Sequence, residues 1–145
     1  MTNQIKQIIE SSLSVFQEFP QVNNKVIVEK LISQGISRQD AWRIVCFVPL
    51  AFNRILMHSS GVAFSNECII EVQGKTKITK QLKDEPFFQE TLSIALSQSS
   101  YCQEYWMNLV SRSVELKAIN QSLYAGSNLE DLLLSSPILV LPTED

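Results

Sequence analysis

Apolar residues near the N-terminus recur every three or four positions, which is the spacing of one face of an α-helix. Over residues 2–18 these positions hold Ile5, Ile8, Ile9, Leu13 and Phe16. A turn at Pro20 precedes a second such segment at about 24–34, and Gly35 is placed to cap it. The sequence therefore predicts two amphipathic helices with a short turn between them.

The most apolar segment of the chain covers residues 41–52, where apolar side chains stand on nearly all sides. Such a composition is typical of a helix that is buried within a protein. Ser37 and Asp40, at the spacing of a capping box, open this segment. Because Pro49 lacks a backbone donor and clashes one turn back, we expect either a kink or a break there.

The pattern changes to a period of two between residues 67 and 81. Cys68, Ile70 and Val72 alternate with their neighbours, and Gly74 separates this run from a second one at 76–80. This spacing predicts an antiparallel β-hairpin. Residues 62–64 are a candidate third strand.

The C-terminal half again favours helices. Asp84 is placed to cap a helix with Pro86 in its first turn. A long helix from about 100 to 124 is expected next, with Gly126 stopping it. Residues 127–134 predict a further short helix.

Pro137 forbids continuation of that last helix, and residues 138–141 are expected to run extended. This aliphatic run has two interpretations: it docks on its own domain, or it adds a strand to a partner. The predicted fold class is mainly α, a compact helical domain of five to six helices with one small antiparallel β-hairpin at about residues 67–81. Residues 137–145 form an extended C-terminal tail in this prediction.

Composition supports a single folded domain over residues 1–145. Of the 145 residues, 45% are hydrophobic and 19% are charged, and the net charge is −3. This apolar fraction is too high for a disordered chain, and no stretch approaches the roughly 20 apolar residues of a membrane span. We therefore expect no membrane association. The acidic balance argues against a general nucleic-acid binder.

The cysteines indicate a reducing compartment. Cys46, Cys68 and Cys102 are odd in number and widely spaced, without the CxxC or CxxH pairs of a zinc site. The N-terminal residues also lack the basic and apolar regions of a secretory signal. We expect free thiols, a cytoplasmic location and no metal.

Motifs for catalysis are missing from the sequence. His58 is the one histidine, no HExxH is present, and the four glycines are scattered rather than grouped as a phosphate-binding loop requires. No serine lies in a GxSxG elbow. We therefore expect no catalytic residues and no cofactor, which favours a protein that is not an enzyme.

Arg43 and Arg54 stand eleven residues apart in the apolar segment, so three helical turns place them on nearly the same face. One interpretation is a site for a small anion or carboxylate near the Pro49 bend, with His58 beside it. The other is structural, because charged residues are almost never fully buried unless they are paired. In that case Arg43 pairs with Asp40 and Arg54 with another acid.

Lys75, Lys77, Lys80 and Lys83 concentrate positive charge in the second half of the hairpin. A phosphate-contact patch is one interpretation. No aromatic residue is interleaved to stack on bases, however, and lysines also protect strand edges from pairing with other chains. Nucleic acid is therefore not the expected partner.

A contact surface for another protein is the remaining candidate. The residues assigned to it are Tyr101, Tyr105, Trp106, Ile138 and Val140. The leading hypothesis is a non-enzymatic protein–protein interaction module, with a protein partner or self-association as a homodimer. In size, acidity and lack of catalytic motifs the chain is similar to small bacterial binding proteins such as immunity proteins and secretion chaperones. This similarity is one of type and rests on no motif.

Overall fold

The computed structural model describes residues 2–19, 22–59, 66–72, 76–97, 103–128 and 138–141. In chain order these contain α1 (Thr2–Glu18), α2 (Asn24–Ser33), α3 (Arg38–Ser59), β1 (Glu67–Val72), β2 (Thr76–Gln81), α4 (Pro86–Ser97), α5 (Gln103–Ser111), α6 (Val114–Tyr124) and β3 (Ile138–Leu141). A 3-10 turn, Leu82–Asp84, joins β2 to α4. The mainly helical fold with a small β-hairpin is confirmed.

Both ends of α2 are fixed by local hydrogen bonds. The Asn23 side chain accepts a hydrogen bond from the backbone N–H of Val26 at 3.0 Å, which caps the first turn. At the other end Gly35 has a φ of +94°, and the N–H of Ile36 donates to the carbonyl of Leu31 at 3.2 Å. This geometry is a Schellman motif, so the expected glycine cap is confirmed.

Helix α3 passes through Pro49 without a break, so the break that was one expectation there is wrong. Pro49 removes one hydrogen bond, but α3 is packed against α2, α4 and α5, and this burial outweighs the loss. At the N-terminus of α3, the Ser37 hydroxyl accepts a hydrogen bond from the N–H of Asp40 at 3.2 Å. The serine half of the predicted capping box is therefore present.

The expected cap of α4 by Asp84 is wrong, because Glu85 occupies that position. The backbone carbonyl of Glu85 accepts from the N–H of Gln89 at 3.0 Å, and its side chain accepts from the N–H of Phe87 at 3.4 Å. Pro86 is the first residue of α4, as predicted.

The single long helix expected to end near residue 124 is also wrong: α5 and α6 are separate helices on either side of Arg112 and Ser113. The guanidinium of Arg112 donates to the backbone carbonyl of Phe19 at 3.0 Å and to the side chain of Asn24 at 3.3 Å. The chain thus turns here to reach the connection between α1 and α2. The apolar spacing around Arg112 could not predict this break, because the contact joins residues that are far apart in the sequence.

The sheet has the strand order β2-β1-β3. Strands β1 and β2 pair antiparallel from Glu67 opposite Gln81 to Val72 opposite Thr76, which confirms the hairpin. Strand β3 lies parallel to the other edge of β1, with Leu139 opposite Ile70. The aliphatic run 138–141 therefore docks on its own chain. The candidate strand at 62–64 lies outside the described residues, as does most of the predicted helix at 127–134.

The core lies around α3, which is packed against every other described helix. Its largest fully buried aromatic side chains are Phe16, Phe47 and Phe52. None of the helices in the described ranges is long and apolar enough to cross a bilayer.

Candidate functional site

A cavity of about 290 Å³ opens between α3, the 3-10 turn and α4. Its apolar lining consists of Ile55, Leu82, Phe88, Leu92 and Leu96. Phe88, Leu92 and Leu96 stand four residues apart, so they fall on one face of α4. The same spacing that makes α4 amphipathic therefore builds one wall of the cavity, which we call the Arg54 cavity.

The polar lining of the Arg54 cavity is cationic. It consists of Arg54, Asn66, Lys83 and Gln89, with no carboxylate among the described lining residues. Arg54 is only 2% exposed, whereas Lys83 is open to solvent. The guanidinium nitrogens of Arg54 are shielded from solvent, so the exposed cation of this lining is Lys83. The chemistry of the cavity is therefore suited to an anionic group next to an apolar one.

Arg43 does not line this cavity; its guanidinium is directed to a buried acid instead. The Nη2 atom lies 2.6 Å from Oε1 of Glu85, and Nη1 lies 3.5 Å from Oδ1 of Asp40. The guanidinium carbon also lies 4.8 Å from the centre of the Phe87 ring. The ion pair with Asp40 is the one that the structural interpretation of Arg43 predicted from the sequence.

Glu85 is the residue that sequence reasoning missed. Its side chain has no solvent exposure, and its second carboxylate oxygen accepts a hydrogen bond from Lys80. Lys80 and Arg43 thus reach one carboxylate from β2 and from α3, and Glu85 itself caps α4. An acid directly before a helix-opening proline was the available signal, but a helix cap explains that signal equally well.

Two buried thiols lie within the electrostatic reach of Glu85. Burial raises the pKa of Cys46 to about 12, and the charges of Cys68 and Glu85 act in the same direction. Burial also raises the pKa of Cys68 to about 11, with Glu85 adding to the increase and Lys80 and Arg54 opposing it. Thiolates are therefore scarce at neutral pH, so these cysteines are poor nucleophiles.

The other candidate residues lie on different helices and strands. His58 lies in the last turn of α3, Tyr105 in α5, and Ile138 and Val140 in β3. Trp106 is half-buried, and its ring packs edge-on against Phe52 with the ring centres 4.7 Å apart. Trp106 therefore packs against the core and keeps part of its surface exposed.

Two of the hairpin lysines have different surroundings in the part of the chain that the structure describes. Lys77 lies in β2, Lys80 contacts Glu85, and Lys83 lines the Arg54 cavity. Lys75 and Tyr101 lie outside the described residues.

No group of three or more metal-ligating side chains occurs within the described ranges. Comparison with protein-family models, with curated proteins and with solved structures finds no significant match to this chain.

Proposed function

We propose that this protein is a non-enzymatic protein–protein interaction module that binds a protein partner or a second copy of itself. The observation that carries the proposal is a set of large apolar side chains exposed on the last three helices. These are Leu96, Met107, Leu123 and Tyr124. Large apolar side chains that are left in water favour contact with another protein, which would cover them.

Two of these side chains lie next to each other in the chain at the end of α6. Tyr124 is 97% exposed and follows Leu123, itself 40% exposed, immediately before the turn at Gly126. Tyrosine and methionine are enriched at protein interfaces, where a rigid ring contributes a large contact area. An apolar partner surface would cover both side chains.

Sedimentation equilibrium over a range of concentrations tests self-association directly. The double variant Leu123→Ser with Tyr124→Ser removes the apolar groups, and Asn120→Ser with Gln121→Ser is the matched control on exposed positions of the same helix. We expect association in the wild type and the control but not in the apolar variant. If the wild type is monomeric, affinity capture with the same three proteins must yield a partner that only the apolar variant loses. Equal behaviour of all three proteins would reject the proposal.

A second candidate function, binding of a small anion or carboxylate, is favoured by the Arg54 cavity alone. Arg43 is engaged by Glu85 and Asp40, so we no longer assign it to this site. The candidate then rests on a largely apolar cavity that has Arg54 and Lys83 among its lining residues. The property to test is whether the protein retains a small anion and whether this retention depends on the lining of the cavity.

We also propose a cytoplasmic location. Cys46 and Cys68 are free and buried, which is the usual state of thiols in a reducing compartment. Fractionation of the native cells, with the protein followed by antibody, tests this assignment.

A further inference from the structure

We propose that the protein associates head to tail with a second copy of itself, with Leu123 and Tyr124 of one copy inserted into the Arg54 cavity of the next. The inference rests on the proposed function, because it names the partner and the surface that receives the end of α6. Two separate features of the chain carry it: the apolar side chains exposed on α6, and the apolar cavity between α3, the 3-10 turn and α4.

The end of α6 leaves two large apolar side chains in water. Tyr124, the last residue of α6, is 97% exposed, and Leu123 before it is 40% exposed. A tyrosine has few rotatable side-chain bonds, so its insertion into a partner covers a large apolar area at a low cost in conformational entropy. Because Tyr124 is almost fully exposed, it does not fill the Arg54 cavity of its own chain. The surface that receives it should be an apolar cavity that can hold an aromatic ring.

The Arg54 cavity has the size and the lining that these side chains require. An apolar cavity of about 150 Å³ is large enough to bind benzene. At about 290 Å³, the Arg54 cavity therefore has space for the ring of Tyr124 and for part of Leu123. Its walls include Phe88, and Leu96 lines its open side with 74% of its surface exposed. An inserted ring would contact these walls and remove Leu96 from water.

Charge complementarity favours the same arrangement. The helix dipole places a partial negative charge at the C-terminal end of α6, beside Leu123 and Tyr124. The last turn of α6 contains no basic residue that would compensate this charge. Lys83 supplies the opposite sign, since it lines the cavity and is exposed. Insertion of Tyr124 would thus bring the end of α6 towards a lysine, which is a favourable neighbour for a helix C-terminus.

The two contact surfaces are different, so the association is head to tail and not symmetric. Each copy offers one α6 end and one cavity, and such contacts produce rings or chains of copies. Two inserted side chains bury less area than a stable dimer requires. We therefore expect a weak contact, with a Kd on the order of 100 μM.

Sedimentation equilibrium of two variants, alone and mixed, tests the inference. Leu123→Ser with Tyr124→Ser removes the inserted side chains and keeps the cavity. Leu96→Glu keeps those side chains and places a negative charge at the open side of the cavity, where it repels the end of α6. Neither variant should associate alone at up to about 1 mM, whereas the equimolar mixture should form a 1:1 complex with a Kd within about threefold of the wild-type value.

Ser97→Glu is the matched control for Leu96→Glu. Ser97 is exposed, does not line the cavity, and stands one residue further along α4, away from the cavity wall. This variant should associate as the wild type does. Circular dichroism that matches the wild type ensures that a loss of association is not a loss of fold.

The unfavourable outcomes separate the inference from the proposed function. A wild type that stays monomeric at about 1 mM overturns the inference, while the proposed function can stand on a different protein partner. If Leu96→Glu associates as the wild type does, another surface receives α6, so self-association stands and the cavity assignment fails. If both variants lose association and their mixture stays monomeric, the contact is symmetric and the inference is wrong. If Leu123→Ser with Tyr124→Ser still associates, the end of α6 is not the interface, and the proposed function loses its main support as well.

Discussion

Glu85 connects three elements through one carboxylate. It has no solvent exposure, receives Arg43 from α3 and Lys80 from β2, and caps the first turn of α4. A buried ion pair is weak evidence of net stabilisation, because both charges lose water when they are buried. Removal of one partner is different, since it leaves the remaining charges without compensation. Glu85 is therefore expected to be sensitive to substitution.

We predict that Glu85→Gln lowers the free energy of unfolding by about 2 kcal/mol. The figure is set below that of a fully buried pair because the side chains of Arg43 and Lys80 remain 27% and 30% exposed and are partly screened by water. Urea denaturation measures the change. Asp84→Asn makes the same type of substitution one residue earlier, at an exposed position, and should change the free energy by less than about 0.5 kcal/mol. Equal midpoints for the two variants would contradict the prediction.

The buried thiols predict a loss of stability at alkaline pH. An unfolded cysteine ionises near its ordinary pKa of 9.0, whereas burial raises the pKa of Cys46 to about 12 in the folded protein. The stability that the protonated thiol of Cys46 contributes is thus fully present below pH 9. It is lost as the pH rises towards 12, because over this range only the unfolded state releases the proton. Between pH 7 and pH 10 we expect Cys46 to account for about 1 kcal/mol of the decrease. The decrease should be smaller by that amount in Cys46→Ala, and an identical pH dependence would refute the assignment.

At the scale of the element, two Schellman turns explain where α2 and α6 end. After α6 the N–H of Ser127 donates to the carbonyl of Ser122 at 2.8 Å, which repeats the bond from Ile36 to Leu31 after α2. Gly35 and Gly126 have φ values of +94° and +95°, and an added Cβ at either position would meet no atom within 4 Å. The requirement for glycine is therefore conformational and not steric. Each turn also contributes hydrogen bonds that satisfy carbonyls at the end of its helix.

We predict that Gly35→Ala destabilises the protein by about 1 kcal/mol, because alanine is strained at positive φ. Gly35→Asn should cost less, since asparagine tolerates this conformation better than alanine. Urea denaturation of the two variants provides the comparison. An alanine variant as stable as the wild type, or more stable than the asparagine variant, would show that strain at this turn does not control the end of α2.

Local signals explain which elements could be predicted from the sequence. The apolar spacing of α1, the glycine after α2 and the alternation of β1 all act within a few residues, and each prediction is confirmed. The break between α5 and α6 depends instead on Arg112 reaching Phe19 and Asn24, far away in the chain. The two cations that contact Glu85 likewise come from other elements, α3 and β2. Tertiary contacts override local preference at these points.

The junction at Arg112 gives a matched test of this long-range contact. We predict that Arg112→Lys lowers the free energy of unfolding by about 1–2 kcal/mol, because an ammonium cannot reproduce the two donors directed at Phe19 and Asn24. Amide hydrogen exchange of residues 23–28 should become faster. Arg38→Lys is the control, since Arg38 makes an exposed ion pair with Glu29 at 3.3 Å. Similar exchange in both variants would exclude Arg112 as the tie between these helices.

At the scale of the molecule, the candidate site shows the same limit of sequence reasoning. The chemistry of Arg54 was visible in the sequence as a cation in an apolar helix. Its cavity was not, because the walls come from α3, the 3-10 turn and α4, which only the tertiary fold brings together. Of the two acids that pair with Arg43, only Asp40 could be predicted from the sequence, because it stands one helical turn away. Glu85 is 42 residues distant.

Strand β3 gives the most distant pairing in the sheet, since it places residues 138–141 beside residues 69–72. We predict that a chain ending at residue 136 leaves this edge of β1 unpaired, which lowers the midpoint of thermal unfolding and promotes aggregation. A synthetic peptide of residues 137–145, added in excess, should restore the midpoint by pairing in trans, with a shift that grows with peptide concentration. The same peptide with Leu139→Pro is the control, because Leu139 is paired with Ile70 inside the ladder and proline has no backbone donor. Equal midpoints with and without the wild-type peptide would mean that β1 does not require this partner strand.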